Sequence, residues 1–113
     1  MKLLLSIKFW LTALILILVL AACTDNRKIT PEWDYTSHPI SLTIHTFDTL
    51  AEMQYAVTER TGKEQPSTLQ GLAIMSPDDT VCEVFVVKSK RIDDEHTKTL
   101  GHEVLHCLYG RYH

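Results

Sequence analysis

Two histidines four residues apart, with a glutamate directly after the first, stand near the C-terminus: His102-Glu103-Val104-Leu105-His106. On a helix each residue turns about 100°, so positions i and i+4 differ by about 40° in direction. Both imidazoles then point to one side and can share one ion. Zn²⁺ suits such donors, taking histidine nitrogen at about 2.0–2.1 Å and favouring a tetrahedral shell. Glu103 lies at the flank of that face. It is offset from the ligand direction and placed to take a proton from water that the metal activates. The bland alternative is a surface helix that carries these three residues and no metal.

The surrounding residues suit a helix. Leu100, Val104, Leu105 and Leu108 form an apolar set fit for packing on a sheet, and Gly110 follows as a C′ residue would. The chain continues Cys107-Leu108-Tyr109-Gly110-Arg111-Tyr112-His113. The full pattern, HExxHxxxGxxH, resembles the extended HExxHxxGxxH motif of the metzincins, a clan of zinc metallopeptidases. It has one extra residue before the glycine, and no Met-turn methionine follows. The resemblance implies a zincin-like metallopeptidase in which His102, His106 and His113 hold Zn²⁺ and Glu103 is the general base. Its substrate would be a peptide or protein. Tyr109 and Tyr112 lie close by in sequence, either as donors to the oxyanion of a tetrahedral intermediate or as packing residues. The rival class is a zinc-binding or structural module without turnover, in which Glu103 only orients a ligand.

The other end of the chain carries an address. Lys2 and Lys8 supply positive charge, Leu11 to Leu20 is apolar, and Leu20-Ala21-Ala22-Cys23 follows. A charged start, an apolar middle and small residues before a cleavage point describe a secretory signal. The alternative, an uncleaved anchor, is disfavoured because a spanning helix needs about 20 apolar residues. The Leu-Ala-Ala-Cys ending resembles the bacterial lipobox. That resemblance implies cleavage before Cys23, acylation of its thiol and a membrane-anchored lipoprotein in the cell envelope. Thr24, standing where an aspartate would retain such a protein, implies transfer to the outer membrane, facing the periplasm.

Residues 1–22 are therefore expected to be a signal peptide, 23–39 a lipid-anchored tether and 40–113 a single domain. The part after residue 22 keeps nine of the eleven basic residues and all fourteen acidic ones. Such a balance excludes a basic nucleic-acid footprint and suits solubility. Pro31 and Pro39 break regular structure in the tether. Trp33 and Tyr35 are expected to pack its end on the domain or to meet a membrane surface.

The domain itself reads as α+β. Ile40, Leu42 and Ile44 alternate with Ser41, Thr43 and His45, the period of a half-buried strand. Thr49 and Glu52 fit a capping box, and Leu50, Met53 and Val57 recur at helical spacing up to Gly62. Leu69–Met75 and Val81–Lys88 flank Ser76-Pro77-Asp78-Asp79, a turn sequence, and predict a hairpin. The expected fold is a small twisted sheet with a hairpin, one supporting helix and a C-terminal HExxH helix. Such folds often bind extended substrate at a sheet edge. The chain given stops at His113, so the lower wall of the cleft is expected from the tether, from an unidentified protein partner, or from nothing.

Besides Cys23, two cysteines remain, Cys82 and Cys107. An exported compartment favours a disulfide between them. Two buried thiols are the alternative, and Cys107 as a metal ligand is a third, although it points about 100° away from His106. His96, about 240° around the helix from His102, and His38 and His45 are expected to stay outside the site.

Overall fold

The computed structural model describes residues 28–113 and, before them, only Ile7 and Trp10. The expected signal peptide and the expected lipidation site Cys23 lie outside the described residues. The chain runs β1 (Ser41–Phe47), α1 (Leu50–Thr61), β2 (Gly71–Met75), β3 (Val81–Val87) and α2 (Glu95–Tyr109). Over residues 28–113 the fold is α+β: a three-stranded mixed sheet in the order β1-β3-β2, with two helices. β1 runs parallel to β3, pairing Ser41 with Val81 through Phe47 with Val87. β2 runs antiparallel to β3, pairing Gly71 with Val86 through Met75 with Cys82. Among the described residues no helix is long and apolar enough to cross a membrane.

Local chemistry accounts for the element ends. At the start of α1 the Thr49 hydroxyl accepts from the Glu52 amide at 3.2 Å, and the Glu52 carboxylate accepts from the Thr49 amide at 3.3 Å. These bonds satisfy two donors that a helix start leaves unpaired. Gly62 ends α1 in the left-handed region, with φ 67°. In the hairpin turn, Asp78 gathers the hydroxyls of Ser76 and Thr80 at 2.7 and 2.8 Å. Asp94 caps α2: its carboxylate accepts from the backbone amides of Thr97, Lys90 and Arg91 at 2.8, 2.8 and 3.1 Å. Those bonds hold its carboxyl far below the usual carboxylate range.

β3 is the central strand and is covered on both faces, which explains its nearly unbroken apolar run. Phe85 and Val87 meet Met53 and Val57 of α1, while Cys82, Val84 and Val86 meet Cys107 and Leu100 of α2.

Two expectations are corrected here. Leu42 and Ile44 are not buried; they remain 46% and 43% exposed. They lie on the face that α2 covers, but α2 packs over β2 and β3, whereas α1 is the helix that reaches β1. Phe47, of the opposite parity, packs into the core under α1. The second correction concerns α2. Its buried residues are Glu103 and Cys107, whereas Val104, Leu105 and Leu108 are only half-buried. A disulfide to Cys82 draws Cys107 onto the sheet, and Glu103, one turn earlier on the same stripe, is carried in with it.

Residues 30–35, within the segment expected to be a tether, are bound to the domain. Amides among them donate to the last carbonyls of α2, Glu32 to Tyr109 at 2.9 Å and Tyr35 to Leu108 at 2.9 Å, and Thr30 donates to Tyr112 beyond the helix at 3.3 Å. A helix end leaves those carbonyls without partners, and this strap supplies them. Trp33 stacks on Tyr35, and its indole N–H donates to the Cys107 carbonyl at 3.4 Å.

Candidate metal centre

α2 carries two stripes that matter. Glu103 and Cys107 face the sheet. His102 and His106, one residue earlier in each case, are turned by about 100° to the rim. The orientation of the sheet-facing stripe has two visible causes. The Cys82–Cys107 disulfide ties α2 to the central strand with the Cα atoms 5.9 Å apart. Gly71 on β2 leaves the space for Glu103: a Cβ there would lie 2.8 Å from Thr99 Cγ2 and 3.0 Å from Glu103 Cγ.

Beyond α2 the chain turns sharply at Gly110, whose φ of 66° with ψ −135° suits glycine alone. The turn returns His113 to the helix. His113 Nε2 and His106 Nε2 each lie 3.2 Å from His102 Nε2. Ligand nitrogens of all three lie within 4.8 Å of one another, so this group can hold a metal ion. Two nitrogens bound tetrahedrally at about 2.0–2.1 Å stand about 3.3 Å apart. The two short separations therefore match an edge of that polyhedron, and a donor set of three imidazoles suits such an ion.

The far nitrogens of two rings are held. His106 Nδ1 lies 2.7 Å from the Gly110 carbonyl oxygen, so Nδ1–H donates there and Nε2 is left for a ligand role. His102 Nδ1 lies 3.0 Å from the Tyr112 hydroxyl, which in turn lies 3.3 Å from the His102 carbonyl. With Nδ1–H donating to Tyr112 and the phenol donating to the carbonyl, His102 Nε2 is likewise presented to the centre. Tyr112 thus contacts a histidine ring, a role that sequence alone did not suggest. Tyr109 serves through its carbonyl, which accepts from the strap.

Glu103 is 7% exposed and lines two adjoining cavities on the sheet side of the triad. One, of about 290 Å³, also includes His106, Trp33 and Ala73. The other includes His102, Thr99 and Gln70. Burial pushes the Glu103 carboxyl above its usual range, opposed by the charge of His106 and a backbone hydrogen bond from Ala73. Burial, then the charges of His106 and His113, hold the His102 imidazole below its usual value. Burial and the nearby Glu103 charge raise the Tyr112 phenol.

The other sequence candidates lie elsewhere. His38 binds the Asp79 carbonyl at 3.1 Å, and His45 binds the Glu83 carboxylate at 3.2 Å. His96 is not in the cluster. Cys107 is in the disulfide, not at the triad. Three contributors escaped the sequence: Glu32, Trp33 as a cavity wall, and Gly71. A lone glycine inside a β-rich run was the one available signal, since such a residue can mark close backbone approach.

No family model, curated protein or solved structure matches this chain.

Proposed function

We propose that this chain is a zinc-dependent metallopeptidase of zincin type, anchored by lipid on Cys23 in a bacterial cell envelope. The observation that carries the proposal is the meeting of three imidazole nitrogens beside a buried glutamate at the edge of a sheet. His102, His106 and His113 would hold the ion. Bound Zn²⁺ supplies Lewis-acid chemistry there, lowering the pKa of water and polarising a carbonyl. Glu103 accepts the proton of the attacking water and passes it to the leaving amine. A carboxyl raised by burial is suited to that exchange, because its proton affinity lies closer to neutrality than that of an exposed glutamate. β2 is an edge strand and contributes Gly71 and Ala73 to the cavities lined by Glu103. An extended peptide added along it would present its backbone to the triad. The docked strap, through Trp33, closes one side of that cleft.

The test is zinc analysis and peptide hydrolysis by the full chain in detergent, with Glu103→Gln alongside. Zinc should be found near one ion per chain. Glu103→Gln should keep the metal and lose hydrolysis by at least about 100-fold, the usual scale for general acid–base catalysis. A variant that keeps both zinc and the biological function would instead support the non-catalytic zinc-binding lipoprotein.

A further inference from the structure

Of the three candidate ligands, two ride on one rigid helix, and only His113 lies outside any helix or strand. Its position depends on the turn at Gly110. Two side chains of the strap occupy the inside of that turn, Glu32 and the Trp33 ring, whose Cε3 and Cζ3 would each lie 2.8 Å from a Cβ on Gly110. The Glu32 carboxylate accepts from the Arg111 backbone amide at 2.9 Å, across 79 residues of chain. It fits so closely that a Cβ on Gly110 would lie 2.8 Å from Glu32 Oε2. Glu32 is itself fixed, because its own amide donates to the Tyr109 carbonyl at 2.9 Å. The strap bonds once more beyond the turn, through Thr30 to Tyr112, but at 3.3 Å.

We infer that Glu32 is a positioning residue for the third metal ligand: its carboxylate holds the Gly110–Arg111 turn in the one geometry that returns His113 to His102 and His106. The inference rests on the metal centre proposed above. A turn that leaves the helix with positive φ at Gly110 has several ways to continue. Selecting one of them requires ordering backbone at roughly 1–2 kcal/mol per residue. A charged acceptor on a backbone N–H is the stronger kind of hydrogen bond and is suited to enforcing that choice. Without it His113 spends its time elsewhere, and the ion is left on two imidazoles. The coupling runs both ways, since an ion that fixes His113 also fixes the turn against the strap.

The experiment is a zinc competition titration of the full chain in detergent against a chromogenic chelator. Glu32→Ala should weaken zinc binding by about 10–100-fold, the usual range for residues that orient a ligand. Glu32→Gln retains an acceptor oxygen for Arg111 without its charge and should lose less than Glu32→Ala. In a His113→Ala background, Glu32→Ala should cause no further loss, because the ligand it positions is gone. Folding is followed by circular dichroism. Should Glu32→Ala fail to fold, Glu32→Asp takes its place; its carboxylate is one methylene short, and about a tenfold loss is expected. Glu32 variants that lower the unfolding midpoint of the metal-free protein yet bind zinc as tightly as wild type overturn the inference. So does an equal loss with and without His113. Zinc binding by the wild type no tighter than by a His102→Ala, His106→Ala double variant overturns the metal centre itself, a separate failure.

Discussion

At the scale of single residues the metal centre is a matter of protons. His102 is held below the ordinary imidazole value by burial first, then by the charges of His106 and His113. Its neutral ring therefore contributes stability above the unfolded value of about 6.5, and that contribution is lost as pH falls from there through the lower folded value. A metal ion requires the same neutral form. Zinc affinity is thus expected to fall as pH drops below about 6.5, because a proton on His102 competes with the ion. Chelator titrations at a series of pH values measure the slope. An affinity that does not change with pH would argue that His102 is not a ligand. The bonds at the far nitrogens serve the same end. Gly110 accepts from His106 and Tyr112 from His102, which keeps both Nε2 atoms in the deprotonated form a ligand needs.

At the scale of elements, the Cys82–Cys107 disulfide ties α2 to the central strand, and Gly71 leaves the room for Glu103 beside it. The disulfide closes a sequence separation of 25 residues, for which chain entropy gives roughly 3 kcal/mol. Replacing both cysteines with serine should lower unfolding free energy by about that amount in urea titrations and loosen the Glu103 stripe. An unchanged midpoint would show that packing alone sets the orientation of α2. Elements whose signals are local were legible in the sequence. Thr49, Glu52 and Gly62 bracket α1 because a cap needs only residues a few positions away. The spacing of His102 and His106 was legible for the same reason. The face of β1 was not, because alternation shows that a strand has two sides but not which helix covers them. Leu42 and Ile44 form an apolar side that α2 does not reach. The apolar residues of α2 pointed to Val104 and Leu105 as its inner face, and the covalent tie at Cys107 overrode them. Glu32 left no trace in the sequence at all. Its partner lies 79 residues away, and a glutamate in a polar segment has no periodicity to betray it.

At the scale of the whole molecule, metal and fold should be linked. The triad joins α2 to the segment after Gly110, and the strap joins that segment to the N-terminal side of the domain. An ion that binds the folded chain and not the unfolded one adds about 2.7 kcal/mol at one hundred times its dissociation constant. Thermal unfolding should therefore shift upward with zinc and back with a chelator, and a midpoint indifferent to zinc would argue that the triad is not a site. The docked strap has another consequence, one of distance. Its first bond to the domain is made by Thr30, seven residues beyond Cys23, where we propose the lipid. Seven residues of fully extended chain reach at most about 25 Å. That leash ends beside Tyr112 and His113, at the triad itself, and not at some remote corner of the domain. With lipid on Cys23, its length would be a working radius: the centre would reach only polypeptide that comes within a few nanometres of the bilayer surface.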